Sequence, residues 1–406
     1  METLFKLSEN RIKQVPVAFT RSLFDIINWN CRLIEIRGSR GTGKTTLMLQ
    51  RAKNIPRDQP EEVLYSSLDD PYYYSRSIIE TAEEFVKYGG KYLFLDEVHK
   101  YPPKHKESDW SAEVKVIYDR YPELNIIYSG SSLLALHKGL GDLSRRKCSY
   151  NLSGLSFREY LNWNYSLNIP VYGLYDILRD HIKISTSVTE KIKVLPAFQE
   201  YLKTGFFPFY AEAPKEYCRR LKDILNVILE QDVNIFTAYN AEIFVKLKKL
   251  LAVLSDSSPF TPNFSQLRSD LYISDHRTLL NYLSILEKAE LLNLLQRKAK
   301  GIKKLQKPDK VYLKNTNLAY CLHDEKLEKG MLRECFFMNQ LRVKHEVFLP
   351  SSGDFFIFPD LCFEVGGKNK TAKQLTNNKG QSFLAIDDIE TGFGNRIPLW
   401  MFGLLY

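Results

Sequence analysis

The chain of 406 residues has a net charge of +9 and an ordinary hydrophobic content of 44%. It is too long for one ordinary domain, so about two to four domains are expected, each with its own core. The sequence contains neither the apolar core of a signal peptide nor a run as long as a membrane span. These features exclude the membrane classes and predict a cytoplasmic protein with no membrane partner.

The cysteines are scattered along the chain. No two of them form a Cys-x-x-Cys pair, which argues against a zinc site and against a disulfide framework. Reduced thiols are therefore expected at all six positions, which are Cys31, Cys148, Cys218, Cys321, Cys335 and Cys362.

The first strong motif is a glycine-rich loop between a predicted strand at 33–36 and a predicted helix at 46–52. Its glycines let backbone N–H groups converge on a phosphate, and the helix N-terminus adds its positive dipole end. Lys44 would reach the β- and γ-phosphates of ATP or ADP, and the Thr45 hydroxyl would hold Mg²⁺. Upstream of the loop, Arg21 is expected to be an exposed helix residue, with a nucleotide contact as the alternative. The predicted phosphate-binding residues are Gly38, Ser39, Arg40, Gly41, Thr42, Gly43, Lys44, Thr45 and Thr46.

A second predicted strand, 91–95, ends in the carboxylates Asp96 and Glu97. This pattern is typical of a Walker B strand, in which Asp96 would hold the Mg²⁺ shell and Glu97 would polarise the attacking water. Carboxylates often end strands, so this pair alone is a weak signal. Because a complete phosphate loop precedes it, the pair indicates a Walker B strand.

A third predicted strand, 125–128, leads into small hydroxyl residues. Ser129 is the first candidate for a side chain that senses the γ-phosphate and Ser131 the second, with a polar turn as the alternative. Further on, Arg145 and Arg146 follow a glycine turn. Either arginine is a candidate contact to the γ-phosphate, in cis or from a neighbouring subunit, and a solvated loop is the alternative.

Four segments, 36–45, 94–99, 128–132 and 152–160, resemble a widespread prokaryotic family of AAA-type ATPases. The resemblance covers essentially the whole chain. It implies an α/β fold: a P-loop AAA-type core with a parallel sheet, a helical lid, a winged helix-turn-helix domain and a C-terminal α/β restriction-endonuclease-like domain. It also implies ATP and Mg²⁺ as ligands, while the biological role of the family is largely undefined. The expected domain boundaries are 1–155, 156–240, 241–325 and 326–406.

The third expected domain concentrates positive charge. Three predicted helices, near 243–254, 263–271 and 274–289, precede two strands that are joined by a lysine-rich hairpin. This arrangement resembles a winged helix that contacts the phosphates of double-stranded DNA. A protein contact, or a hairpin that is merely soluble, is the alternative. The candidate DNA contacts are Arg277, Lys298, Lys303, Lys304 and Lys307.

In the C-terminal region, Glu334, Asp354 and Glu364 fall where the family resemblance implies metal-binding carboxylates. A nuclease of this fold uses a lysine two residues after the last carboxylate, and here that residue is Gly366. Lys368 could reach back only if the chain bends. We therefore expect a nuclease-like fold without nuclease activity.

Together these motifs predict a slow Mg²⁺-dependent ATPase whose nucleotide state switches a winged-helix module. Two other functions stay open. One is a nucleotide-stabilised regulatory protein that acts through a protein partner or a homo-oligomer without DNA, and the other is an ATP-dependent nuclease.

Overall fold

The computed structural model describes residues 1–102, 109–133, 143–233, 241–256, 263–298, 307–323, 327–370 and 380–406. The chain forms two compact units, one of Met1–Ser153 with Asp232–Ala238 and one of Gly154–Gln231 with Tyr239–Tyr406. The finer division into four domains stays a prediction. None of the helices in the described ranges is both long and apolar enough to cross a membrane.

The first unit is built on a five-stranded sheet in the order β2-β3-β4-β1-β5. Every neighbouring pair of these strands is parallel, which confirms the predicted α/β class and the predicted parallel sheet. Strands of such a sheet are buried on both faces and therefore read as continuous apolar runs. The strands are β1 Leu33–Arg37, β2 Val63–Ser67, β3 Tyr92–Asp96, β4 Asn125–Gly130 and β5 Cys148–Asn151.

Helices cover this sheet, and the sheet separates two apolar clusters, one on each of its faces. Leu93 and Leu95 on β3 belong to one cluster, and Phe94 between them belongs to the other. This alternation follows from the period of two along a strand, which sends successive side chains to opposite faces. The helices are α1 Glu2–Gln14, α2 Leu23–Ile26, α3 Lys44–Asn54, α4 Tyr72–Ser75, α5 Ile78–Lys87 and α6 Trp110–Arg120.

The second unit begins with the helices that the sequence predicts after residue 157. The first of them starts with a capping box, in which Ser156 and Glu159 satisfy each other's backbone N–H groups. A π-helical turn, Ile228–Asp232, follows the last of them. The helices are α7 Phe157–Tyr165, α8 Leu174–Thr189, α9 Val194–Thr204 and α10 Tyr217–Val227.

Three more helices and an antiparallel pair of strands come next, in the order that the sequence predicts. On the third helix, Leu279, Leu283 and Leu286 are buried, while Arg277 and Asn281 are exposed. The elements are α11 Ala241–Asp256, α12 Phe264–Asp270, α13 His276–Lys288, β6 Leu292–Leu295 and β7 Lys310–Leu313.

The C-terminal part carries a second five-stranded sheet, in the order β12-β11-β10-β9-β8. The β10–β11 and β11–β12 pairs are parallel, whereas β9 is antiparallel to both of its neighbours. Phe337 and Phe402 pack against this sheet through Phe363. The elements are α14 Thr316–Leu322, α15 Lys329–Leu341, β8 Val347–Phe348, β9 Phe355–Ile357, β10 Leu361–Gly366, β11 Gln381–Ile386 and β12 Arg396–Pro398.

The prediction of six reduced cysteines is wrong for four of them. Disulfides join Cys31 to Cys148 and Cys218 to Cys321, with Cα–Cα distances of 6.4 and 5.0 Å. The partners are 117 and 103 residues apart, so local spacing carries no sign of the pairing. The remaining thiols, Cys335 and Cys362, are free and buried.

Candidate functional site

The loop between β1 and α3 has a backbone that requires glycine. Gly41 and Gly43 have φ angles of +80° and +94°, in the left-handed region that favours this residue. A Cβ atom on Gly38 would clash with the carbonyl oxygen of Leu152. The nine residues of the predicted phosphate loop therefore form a tight turn that leads into the first turn of α3.

The Lys44 side chain is buried within this turn. Its ammonium group donates to the carbonyl oxygens of Gly38 at 2.9 Å and Ser39 at 3.1 Å. Arg21 fixes the other side of the loop, since its guanidinium donates to the Thr42 carbonyl oxygen at 2.7 Å. The expectation of an exposed Arg21 is therefore wrong, because the side chain is buried and its guanidinium also donates to the Ser153 carbonyl oxygen at 2.8 Å.

The Asp96 carboxylate is the centre of a hydrogen-bond network at the end of β3. The Thr45 hydroxyl and the Tyr65 phenol both donate to its Oδ2 atom at 2.6 Å. Ser129 donates to Oδ1, and the Ser129 hydroxyl accepts from the Glu97 backbone N–H at 3.2 Å. Burial and the Asp96 charge raise the pKa of Tyr65 far above its usual range, so Tyr65 acts as a neutral donor. Sequence reasoning did not find Tyr65.

This donor set fits Mg²⁺. The Thr45 hydroxyl and the Asp96 carboxylate are hard oxygen ligands, and they stand at hydrogen-bond distance from each other. Protein sites for Mg²⁺ usually supply one or two carboxylates and leave the other positions to phosphate and water. Thr45 would bind the ion, and Asp96 would hold its water shell.

Glu97 has an unusual backbone and a strongly positive environment. Its φ and ψ angles of 54° and 43° are left-handed, a strained conformation that tends to occur at functional sites. The Nζ atoms of Lys44 and Lys100 lie 4.0 and 3.4 Å from its carboxylate oxygens. Burial alone would raise the pKa of Glu97, but the positive charges of Lys44, Lys100 and Arg40 lower it. Glu97 is therefore ionised at neutral pH and can accept a proton.

Two further residues complete the cluster. Ser131 donates its backbone N–H to His99 Nδ1 at 3.3 Å, and an Nδ1 atom that accepts this bond leaves the ring proton on Nε2. That atom lies 3.6 Å from a Glu97 oxygen and 3.7 Å from an Asp232 oxygen. Asp232 in turn accepts two hydrogen bonds from Arg40, at 3.0 and 2.7 Å.

Sequence reasoning missed both His99 and Asp232. His99 stands two residues after Glu97, so the pattern Asp-Glu-Val-His was a usable signal. Asp232 is 192 residues from Arg40, and no local pattern indicates it. Burial would raise the pKa of Asp232, but His99 and Arg40 lower it.

The structure places the two candidate arginines elsewhere. Arg146 pairs with Asp119 on α6, with hydrogen bonds of 3.0 and 3.1 Å, and Arg145 is exposed. The pairing of Arg146 with Asp119 does not involve the phosphate loop. A role for either arginine at the γ-phosphate stays a prediction.

In the second unit, the described candidates for DNA contact are exposed. Arg277 lies in the first turn of α13, and the Lys298 ammonium is 3.4 Å from the centre of the Phe358 ring. Lys307 lies 5.1 Å from the centre of the Phe264 ring. Lys303 and Lys304 fall outside the described residues.

Of the three C-terminal carboxylates, Glu334 lies on α15, Asp354 directly precedes β9 and Glu364 lies on β10. Val365 on β10 donates its backbone N–H to Asp354 at 2.9 Å, which places Asp354 beside Glu364. The Lys310 ammonium is 3.2 Å from Glu334 and 3.9 Å from Asp354. Burial and the charge of Asp354 raise the pKa of Glu334.

The fold and the loop geometry define a P-loop domain, and the comparison with known families agrees. Residues 30–161, which include most of the first unit, match a family model described as an AAA domain. Residues 195–329 match a model described as a domain of unknown function.

Comparisons with individual proteins extend further along the chain. An uncharacterized protein of Methanocaldococcus jannaschii is 29% identical over 293 residues, and the match covers 69% of this chain and 60% of that relative. A Walker-type ATPase of Pyrococcus abyssi is 14% identical with a TM-score of 0.39, over 75% of this chain and 95% of that one. The Aeropyrum pernix ORC1 protein, solved in complex with DNA, is 13% identical with a TM-score of 0.31, over 77% and 91%. Both structural similarities are weak, and neither supports a conclusion about function.

Proposed function

We propose that the protein binds ATP with Mg²⁺ at the loop between β1 and α3 and hydrolyses it slowly, and that its nucleotide state switches a winged-helix module that contacts DNA. The observation that carries the proposal is the ionised Glu97 carboxylate beside Lys44 and Lys100. A phosphate loop with an adjacent base has the parts that phosphoryl transfer to water requires.

The residues of the chain would divide the work as follows. The loop N–H groups and the N-terminus of α3 bind the phosphates, and Lys44 exchanges its two carbonyl partners for phosphate oxygens. Mg²⁺, when bound, neutralises charge on the β- and γ-phosphates. Glu97 orients the attacking water and accepts its proton. Because lysine charges already engage the Glu97 carboxylate, this base must be partly released first, which is consistent with slow turnover.

The experiment that tests the proposal is ATP turnover with and without duplex DNA, at about 50 and about 200 mM salt. Turnover that rises with DNA at low salt, and loses that rise at higher salt, supports a DNA-responsive ATPase. ATP binding with negligible turnover in every condition would instead favour a nucleotide-stabilised regulatory protein that acts through a protein partner or a second copy.

The DNA contact has its own prediction. Helices α11 to α13 followed by the β6–β7 pair have the element order of a winged helix, and exposed basic residues flank it. We expect the double change Lys298→Glu and Lys307→Glu to weaken duplex binding about tenfold or more and to flatten its salt dependence, since each lost phosphate contact lowers the slope by about one. Titration of labelled duplex by fluorescence anisotropy measures both.

The matched control carries Lys191→Glu and Lys203→Glu. These two changes shift the net charge of the protein by the same amount, but at exposed positions in or next to α8 and α9. Equal loss in both variants would mean that total charge, and not this surface, attracts DNA. Unchanged binding in the first variant would contradict the contact.

One observation favours nuclease activity as a second candidate function. A Cβ atom on Gly366 would lie 2.6 Å from Lys370 Cγ, so the Lys370 side chain fills the space that Gly366 leaves. Its ammonium is 2.9 Å from Glu364 Oε1, while Lys368 is exposed. The buried Oε2 atom of Glu364 has no hydrogen-bond partner and could bind a divalent cation. Against this function, no three His, Cys, Asp or Glu side chains in the described ranges already form a metal site.

If this second function holds, Mg²⁺- or Mn²⁺-dependent cleavage of linear or single-stranded DNA should be abolished by Glu364→Ala and lowered about 100-fold by Lys370→Ala, a loss typical of removing one charge-stabilising group. The exposed Lys368→Ala variant is the control and should cleave like wild type. Gel analysis of end-labelled DNA is the measurement. Cleavage that persists in Glu364→Ala would come from a contaminant, and an inert wild type would support a nuclease-like fold without activity.

A further inference from the structure

We infer that Arg40 is the residue whose guanidinium contacts the γ-phosphoryl group of ATP during hydrolysis, and that Asp232 holds this guanidinium beside the loop until nucleotide binds. The inference rests on the proposed ATPase function and deepens it. It assigns a catalytic role to Arg40 and a positioning role to Asp232.

The first argument is the location of Arg40. It lies inside the phosphate loop, two residues after Gly38, and its side chain is only 19% exposed. Its guanidinium pairs with Asp232, whose carboxylate lies 3.7 Å from His99 Nε2, and the same Nε2 atom lies 3.6 Å from Glu97. The guanidinium therefore belongs to the same end of the site as the base that activates water.

The second argument is chemical. During phosphoryl transfer, negative charge spreads over the equatorial oxygens of the transferred group, and an arginine that contacts them is a large part of catalysis in many NTPases. A guanidinium suits this task because its planar donors can bind two oxygens together. Arg40 already makes such a two-point contact, with the carboxylate of Asp232. A γ-phosphate offers the same geometry with more charge.

The third argument explains how Arg40 can leave its partner. A buried carboxylate that loses its only cation is strongly destabilised. Asp232 is buried, but it also lies 3.7 Å from His99 Nε2, the nitrogen that carries the proton. This N–H lies beyond hydrogen-bond distance of Asp232 and has no hydrogen-bond partner of its own among the described residues, so it can move to Asp232 when the guanidinium turns to the phosphate. The cluster can therefore release Arg40 while Asp232 gains another donor.

A purely structural explanation exists, in which Arg40 serves only to neutralise Asp232. Four proteins separate the two explanations: wild type, Arg40→Ala, Asp232→Asn and the double variant. We expect Arg40→Ala to lower kcat for ATP about 100-fold or more, as for other groups that stabilise transition-state charge. Its Kd for a fluorescent ATP analogue should stay within about tenfold of wild type, which is about 1.4 kcal/mol. Asp232→Asn removes only the resting partner of Arg40 and should lower kcat much less than Arg40→Ala does.

The double variant decides. If Arg40 contacts the phosphoryl group, the double variant is as slow as Arg40→Ala. If it recovers the kcat of Asp232→Asn, then Arg40 only neutralises Asp232 and the inference is wrong. Because the double variant removes both charges, it avoids an unpaired buried carboxylate and should fold, which thermal unfolding checks. Absence of Glu97-dependent turnover in wild type would overturn the proposed function itself, and this inference with it.

Discussion

ATP turnover of the Glu97→Gln variant is expected to fall by about 100- to 10,000-fold, the contribution that a positioned general base makes. Glutamine has the same shape as glutamate, but it cannot accept a proton from water. The lowered pKa of Glu97 means that the wild-type side chain is ionised at neutral pH and ready to do so. The affinity for ATP should be retained, since in the proposed site the loop and Lys44, and not Glu97, bind the phosphates. Phosphate release gives kcat, and titration with a fluorescent nucleotide gives Kd.

The control for this experiment is Glu2→Gln, which removes an exposed carboxylate from the same unit. It should turn over ATP like wild type. Equal turnover by Glu97→Gln and wild type would show that Glu97 is not the base. Loss of ATP binding in parallel with turnover would show instead that Glu97 supports the structure of the site.

Replacement of Lys44 by alanine should nearly abolish nucleotide binding. Its ammonium is buried inside the loop and already directed by the Gly38 and Ser39 carbonyls, so little desolvation or ordering remains when phosphate arrives. Losing one partner of a buried, charge-assisted contact costs about 2 to 5 kcal/mol. That cost corresponds to a rise in Kd of about 30- to 5,000-fold. Isothermal titration with ATP and Mg²⁺ measures it directly.

Lys53→Ala is the matched control for Lys44→Ala, because Lys53 lies exposed in the last turn of the same helix. Its ATP affinity should equal that of wild type. Thermal unfolding without nucleotide shows whether Lys44→Ala still folds. A folded Lys44→Ala variant with wild-type affinity would place the nucleotide site somewhere other than this loop.

Much of the first unit could be predicted from local sequence. The glycines at 38, 41 and 43 and the lysine that follows them predict the loop, because only glycine permits that backbone. The apolar run before Asp96 predicts a buried strand that ends in a carboxylate, and β3 is such a strand. In these cases the residues that form the sequence pattern are also the residues that form the element. Each pattern spans about ten residues, the length of one strand with its turn.

The contacts that sequence reasoning missed join distant segments. Asp232 pairs with Arg40, which is 192 residues earlier in the sequence, and it also lies near His99. Tyr65 donates to Asp96 from a neighbouring strand. Lys370 is a local exception, since it stands only four residues after Gly366 and the turn after β10 brings its side chain beside that glycine. Which distant residues become partners depends on how strands and turns pack in three dimensions. Local patterns in a single sequence do not indicate that packing.

Adjacent residues in the sequence are therefore enough to predict a phosphate loop, a carboxylate for a metal shell and a carboxylate base. Which groups surround Glu97 became clear only from the folded chain. In the structure, Arg146 pairs with Asp119, Arg21 is buried against the loop, and Arg40 pairs with Asp232. The physical reason is that a backbone conformation depends on neighbours in sequence, whereas charge pairing in a buried site depends on neighbours in space.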